Sequence, residues 1–322
     1  MLITSCRIVS AMAAVSVVIT VKNEEASISR LLDSLQNQSL KPREVIIVDG
    51  GSTDKTVDIV RLFIGSRSLF KLIVAKGANR GQGRNVGIEA ATSDIIALTD
   101  AGVVLDKFWL EKLLGSLKNE GASFVGGVYI QGGESLLQKC IGILQYPNLE
   151  KLHVDNFLPS CRSVAFTKKV WQAVGQWPEN LEKAEDTYFD LMVREKGFKT
   201  TLAKDAVVYW PARDSLRGLF LQYSSYAEWD AKACLLTKLR IYKHLALAHI
   251  LIASFLLSTI FFGFWSVLLL FSIVSAYLVI SGAKAYMNTH RVSSFFLAAA
   301  IKVTIFSAET YGVLKGLVNR VF

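Results

Sequence analysis

The chain predicts an α/β fold: a Rossmann-like, mostly parallel sheet followed by C-terminal transmembrane helices. Three observations carry this. Short β-branched or apolar runs alternate with helical patterns from residue 15 to about 128, the signature of a parallel sheet covered on both faces. Several of those runs deliver an acidic residue to their carboxyl end, where open α/β sheets bind ligands. Leu245 to Ser281 then contains no Asp, Glu, Lys or Arg, which no ordinary surface helix tolerates.

Val15–Val21 reads as the first strand, and Ile28, Leu31, Leu32 and Leu35 give the next helix its apolar face. Residues 1–13 are an N-terminal lead-in; Arg7 and the apolar run after it imitate a signal peptide, but that run continues as a strand. Pro42 breaks the chain before the strand Val45–Val48, which ends in Asp49, and Gly50 to Asp54 supplies a turn and helix cap. Leu72–Ala75 is a third strand. The segment Gly77–Gly87 is glycine-rich, carries Arg80 and Arg84 and opens a helix. Ile95–Thr99 is a fourth strand, delivering Asp100 beside Ala101 and Gly102. Ala122–Val128, Ser163–Phe166 and Ala206–Tyr209 read as further strands, Glu182–Glu195 as a helix, and Asp214–Lys243 as helical and increasingly basic.

In the 322 residues, hydrophobic side chains make up 52% and the net charge is +9, with a mean hydropathy of +0.36. That balance favours an anionic membrane surface as partner. No basic block interleaved with aromatics is present, so nucleic acid is not expected. Cys6, Cys140, Cys161 and Cys234 show no metal-ligand spacing and fit a reducing compartment. The charge-free 245–281 stretch would make a helix of about 55 Å against a hydrocarbon core of about 30 Å. It fits a transmembrane hairpin turning near Gly263, with Phe261, Phe262, Phe264 and Trp265 as an interfacial belt. Lys238, Arg240 and Lys243 flank one side and Lys284 and Arg291 the other, which puts both flanks in the cytosol. The domains expected are a globular domain over 14–230, a basic juxtamembrane helix over 231–244, the hairpin, and a third transmembrane or interfacial helix over 292–318.

Glu24, Asp49, Asp54 and Asp100 all fall at strand ends or in the turns after them. Arg80 and Arg84 supply forks that match phosphate oxygens. Together they describe a nucleotide-diphosphate site. Gly81, Gly83 and Gly87 half-match a dinucleotide fingerprint, which would make an oxidoreductase, but they follow the third strand rather than the first.

These pieces, in this order, resemble glycosyltransferase family 2 of the GT-A fold, in its membrane-anchored bacterial or archaeal type. They are Val17–Glu24, Val45–Asp54, Arg84–Gly87, Leu98–Gly102, Ser163–Phe166, Gly175–Pro178 and Glu185–Asp186, spread over residues 15 to 230. The resemblance implies sugar transfer, with inversion, from a UDP- or GDP-linked nucleotide-diphospho-sugar donor. It implies donor contacts from Thr20, Val21, Asn23, Glu24, Asp49, Arg84, Asp100 and Ala101. It makes Asp186 the catalytic base and Asp100 the ligand of Mg2+ or Mn2+, and puts Glu185, Gln222 and Trp229 on the acceptor side. Gly102 stands where relatives carry the second acid of their Asp-x-Asp motif, and Asp106 is one residue that could compensate. No Arg precedes Trp229, against the Gln-x-x-Arg-Trp motif of processive members, so a single transfer to a lipid-linked or glycan acceptor is expected. The expected location is the cell (inner or plasma) membrane, multi-pass, with the catalytic domain cytosolic. Alternatives are direct charging of polyprenyl phosphate, with Lys238, Arg240 and Lys243 holding the phosphate, and a non-catalytic scaffold.

Overall fold

A computed structural model describes residues 15–146 and 149–321; the lead-in over 1–13, with Cys6, lies outside them. The chain divides into two units, Met1–Ile130 with Pro147–Trp210, and Gln131–Tyr146 with Pro211–Phe322.

The first unit opens with β1 (Val15–Val21), α1 (Ile28–Gln36), β2 (Glu44–Asp49), α2 (Thr56–Ile64), β3 (Phe70–Val74), α3 (Arg80–Ala90) and β4 (Ile95–Asp100). It continues through β5 (Val104–Leu105), α4 (Trp109–Asn119), β6 (Phe124–Gly132), β7 (Val164–Thr167), α6 (Lys168–Val174), α7 (Glu185–Glu195) and β8 (Thr200–Pro211), with α5 (Leu136–Gln145) falling between β6 and β7. The sheet runs β3-β2-β1-β4-β7-β6-β8-β5. Strands β1 to β4 pair in parallel. β7 pairs antiparallel with both β4 and β6, and β5 pairs antiparallel with β8. The sheet is therefore mixed, and Ala122–Val128 does not extend the parallel series: β7, which comes later in the chain, inserts between β4 and β6. The alternation of period two sorts the core onto two faces. Val17, Ile19, Val45 and Ile47 meet Leu31, Leu35 and Trp109 on one side. Val18, Ile46, Val48 and Leu98 meet Ile88, Trp177 and Phe189 on the other.

Buried Glu44 closes the amino end of this sheet. Its carboxylate accepts from Ser16 Oγ at 2.7 Å, Lys71 Nζ at 2.6 Å, and Thr92 N and Oγ1 at 2.7 and 2.6 Å. Burial alone would raise its pKa; the hydrogen bonds outweigh burial and hold it at about 2.

The second unit consists of α5, α8 (Leu216–Lys232), α9 (Arg240–Phe262), α10 (Phe264–Thr289) and α11 (Val292–Val321). Three of these are long and apolar enough to cross a membrane: Arg240–Phe262, Phe264–Thr289 and Val292–Asn319. Gly263, at φ +55, separates the first two. The 231–244 stretch is not one helix. α8 ends in a Schellman motif, with Cys234 N donating to Ala231 O at 3.2 Å and Leu235 N to Asp230 O at 2.9 Å. Cys234 sits in the left-handed region, at φ +62, where glycine is the usual occupant. α11 docks on α8 through two glycines. A Cβ on Gly312 would strike Ser224 O and Ala227 Cβ, and one on Gly316 would strike Glu228 O and Ala231 Cβ. This small-residue approach is a form of packing that apolar helices use widely.

Candidate active site at the carboxyl edge of the sheet

β2, β1 and β4 end side by side, with Thr20 in register with Asp100 and Val21 with Asp49. The two turns beyond them are knitted together. Asn23, left-handed at φ +56, donates from its N to Ser52 Oγ at 2.9 Å, and its Oδ1 accepts from Thr53 N at 2.8 Å. Glu24 N donates to Thr56 Oγ1 at 2.7 Å. Buried Asp49 accepts from Gly51 N at 2.9 Å, Ser52 N at 3.0 Å and Ser52 Oγ. Asp54 accepts from Glu25 N at 3.2 Å and Thr56 N at 3.0 Å. Asp49 and Asp54 thus serve as turn caps, holding the shape of the edge.

Arg84 is buried and already paired, so its fork is not open to phosphate. It lies in α3, which begins with a capping box between Asn79 and Gln82. The glycines of α3 have a packing reason. A Cβ on Gly83 would come within 2.9 Å of Thr20 Cγ2, and one on Gly87 would strike Val18. Glycines one turn apart let α3 settle directly on β1, which carries Arg84 beneath the edge. Its guanidinium is 3% exposed and forks between Asp100 Oδ1 at 2.9 Å and Glu185 Oε1 at 2.6 Å. Burial pushes the Asp100 carboxyl up, but the Arg84, Arg162 and Arg80 charges win and hold it below the ordinary carboxylate range. For Glu185, burial wins and the pKa is raised against the Arg84 charge.

Glu185 opens α7 and Asp186 follows it. The preceding residue, Ala184, is left-handed at φ +62, which costs about 1 kcal/mol for a residue with a Cβ. This is why the helix begins at Glu185 rather than Glu182. Asp186 is partly exposed and its Oδ1 accepts from Thr187 N at 2.8 Å. One turn on, Asp190 is buried, and its Oδ2 has no hydrogen-bond partner among the described residues. Burial first, then the Asp186 charge, push its carboxyl well above the ordinary carboxylate range.

Several residues at this edge were not singled out in the sequence. Asn85 uses its full capacity: its Nδ2 donates to Trp177 O and Glu179 Oε1, both at 3.0 Å, and its Oδ1 accepts from Trp171 Nε1 at 3.0 Å and Trp177 N at 2.9 Å. This pins the Gly175–Pro178 motif to α3, and Trp177 stacks on Phe189 of α7 at 3.6 Å. Arg162 lies over the rings of Trp210 at 3.8 Å and Tyr129 at 5.3 Å. The buried Cys161 thiol is raised by burial and stays protonated beside Arg84. Local spacing carries no signal for any of these, although Asn85 sits inside a matched motif.

Gly102, at φ +81, faces Glu24: a Cβ there would lie 3.5 Å from Glu24 Oε2. Asp106 does not fill the gap, because its Oδ1 accepts from Phe108 N at 2.9 Å and so caps the start of α4. No group of three or more His, Cys, Asp or Glu gathers for a metal among the described residues. The oxygen donors present suit a hard cation such as Mg2+ or Mn2+, which keeps waters and takes phosphate oxygens to complete its shell. Asp100 and the open corner at Gly102 fit such an ion, provided phosphate completes its shell.

Gln222 and Trp229 lie on α8, in the second unit. Gln222 Oε1 accepts from Arg213 Nε at 2.7 Å, and Lys232 Nζ lies 4.6 Å from the centre of the Trp229 ring.

Comparison with known proteins gives a family and a fold. Residues 16–161 match the family described as Glycosyl transferase family 2. Glycosyltransferase AglE of Haloferax volcanii is 28% identical over 213 residues, 62% of this chain and 67% of that protein. The succinoglycan biosynthesis protein ExoA of Rhizobium meliloti is 29% identical over 232 residues, 67% of this chain and 68% of that protein. Matches to EpsH and YdaM of Bacillus subtilis span 31% and 50% of those proteins, so the chain covers between about a third and two thirds of its first curated relatives. The mannosyltransferase PcManGT from Pyrobaculum calidifontis, solved with GDP-Man and Mn2+, superposes with a TM-score of 0.62 at 17% identity, covering 92% of this chain and 88% of that one. Residues 16–161 thus form a glycosyl transferase family 2 domain, in a chain that has the GT-A fold and carries three apolar helices after it.

Proposed function

We propose that the protein transfers one sugar from a UDP- or GDP-linked nucleotide-diphospho-sugar to a lipid-linked or glycan acceptor at the cytosolic face of the cell membrane, in polysaccharide or glycolipid synthesis. The observation that carries the reading is the Arg84 fork, which ties Asp100 at the end of β4 to Glu185 beside Asp186. One buried cation thus fixes the donor edge and the catalytic helix in the same unit.

In this reading the Thr20–Glu24 turn, Asp49 and Ala101 border the donor's base and ribose, and Arg84 holds Asp100 in place. Asp186 takes the proton from the acceptor hydroxyl as that oxygen attacks the anomeric carbon. The bond from that carbon to the diphosphate breaks, the nucleoside diphosphate leaves, and the configuration inverts in one in-line displacement. A partly exposed carboxylate at a helix start suits a base that must reach an incoming hydroxyl. Asp190 lies buried one turn behind, where burial and the Asp186 charge disfavour a second negative charge. A Mg2+ or Mn2+ ion held by Asp100 and the donor phosphates would neutralise charge on the departing diphosphate. The apolar helices are read as membrane spans, with Lys and Arg flanking the cytosolic side.

The test is transfer from a panel of radiolabelled nucleotide sugars to membrane lipid extract. Asp186→Asn is expected to lower turnover by about 10²- to 10⁴-fold while nucleotide binding persists. Undiminished transfer by this variant would remove Asp186 as the base, and no transfer from any donor would sink the reading.

A further inference from the structure

β4 ends at Asp100, and the chain turns away at Gly102, in the left-handed region at φ +81. A side chain is strained there, and this turn carries no acid two residues after Asp100. Asp100 alone is a weak holder for a divalent ion, because Arg84 already meets its charge at 2.9 Å. Protein sites for Mg2+ commonly use one or two carboxylates besides phosphate. Asp106 is spent on the cap of α4.

The corner that Gly102 leaves open is faced by a different carboxylate. A Cβ on Gly102 would lie 3.5 Å from Glu24 Oε2 and 3.9 Å from Glu24 Oε1. Among the described residues, and its chain neighbours aside, nothing else comes within 4 Å of that point. Glu24 reaches the corner because Thr20 is in register with Asp100 and the chain after β1 reverses at Asn23, at φ +56. Its backbone is then fixed on both sides. Glu24 N donates to Thr56 Oγ1 at 2.7 Å, and Glu24 O accepts from Ser27 N at 3.0 Å and Ile28 N at 2.9 Å, at the start of α1.

Hydrogen bonding sorts the acids of this edge into two kinds. Asp49 and Asp54 each accept through both carboxylate oxygens and hold the turns. Asp100 Oδ1 takes Arg84 and Glu24 Oε2 takes Ser27 Oγ, while Asp100 Oδ2 and Glu24 Oε1 accept from nothing among the described residues. Among those residues no Lys or Arg pairs with Glu24 either. Two open carboxylate oxygens beside one vacant corner are the hard donors that Mg2+ and Mn2+ take.

We propose that Glu24 is the second carboxylate of the metal site, holding the ion together with Asp100 in place of an acid at position 102. The holder is then split between the turns after β1 and β4, so the register of two neighbouring strands sets its shape. For the use made of the ion, the inference rests on the sugar transfer proposed above; binding of the ion is measured apart from it.

The purified full chain in detergent micelles is titrated with Mn2+, alone and with GDP or UDP, and free Mn2+ is read by electron paramagnetic resonance. The wild type is expected to bind one ion per chain, more tightly with nucleotide. Glu24→Gln keeps the shape of the side chain and should weaken Mn2+ binding by about tenfold or more, no less than the loss of a residue that only supports a ligand. Nucleotide affinity in EDTA should not change. Ser27→Ala, which removes the hydrogen bond but leaves the carboxylate, should bind Mn2+ nearly as wild type. Glu24→Gln with Gly102→Asp returns a carboxylate to the same corner from the other side and should regain part of the affinity. Equal Mn2+ binding by Glu24→Gln and wild type would overturn the assignment, as would a wild type that binds no Mn2+ in either condition. A Glu24→Gln variant that loses nucleotide equally in EDTA and in Mn2+ would overturn it in favour of a direct contact with the nucleotide. Transfer is measured on the same preparation. Mn2+ binding that depends on Glu24, in a chain that transfers no sugar, keeps this assignment and loses the proposed activity. Normal transfer by a chain whose Glu24→Gln variant binds Mn2+ as wild type loses this assignment alone.

Discussion

In the first unit Arg84 ends against two carboxylates and Glu44 against four donors, whereas in the second Lys139, Lys284 and Arg291 share a cavity with one acid among its lining residues. In the first unit, chain supplies the counter-charge, so those ions help specify the sheet edge and its register. In the second the cations are exposed, and water meets their charge. A buried charge has to be paired within the chain, whereas an exposed one does not.

Removing a partner should break this contrast most visibly in the first unit. Arg84→Met leaves buried Glu185 and partly exposed Asp100 without their cation and is expected to cost about 3–5 kcal/mol of stability, read from the denaturation midpoint. Arg84→Lys, which keeps the charge but not the fork, should lose less. Glu44 tests the same idea through pH. Its folded pKa of about 2 lies below the unfolded value of 4.5, so its stabilisation is complete above about pH 4.5 and is lost as pH falls towards 2. The span corresponds to about 3 kcal/mol at neutral pH. Glu44→Gln should lose roughly that amount at pH 7 and flatten the acid limb of the stability curve; an unchanged limb would assign acid sensitivity to other groups.

A smaller effect is expected in the second unit from Gly316→Leu, which drives a side chain into Glu228 O and Ala231. Overpacking of this kind costs about 1–3 kcal/mol and should appear as earlier proteolytic cleavage in α11, with nucleotide binding retained. The smallest is Gly102→Asp. Restoring the acid that relatives carry places a side chain at φ +81 next to the Glu24 carboxylate. It should lower stability by roughly 1 kcal/mol, measured by thermal unfolding.

Much of the first unit was legible because its signals are local. Short continuous apolar runs marked β1, β2 and β4, and an acid at or just after each end marked the edge. What was not legible depends on distant partners. Arg84 reads as a fork for donor phosphate until Glu185, 101 positions away, folds over it and takes one side of that fork. The glycines of α3 look like a phosphate loop until Val18 and Thr20 lie beneath them. The antiparallel turn of the sheet depends on β7 returning between β4 and β6, which no local pattern encodes. The break between α8 and α9 was hidden because a cysteine, not a glycine, occupies the left-handed cap.

The docking of α11 on α8 has a practical consequence. Trimming the chain after α10 to obtain a water-soluble enzyme would remove more than a lipid-facing appendage. It would uncover Ala227 and Ala231 and strip Glu228 of Lys315 and Asn319. A shortened protein made for crystallisation or screening should therefore end before α8 or keep all of α11, since intermediate cuts leave a sticky, charge-imbalanced helix face.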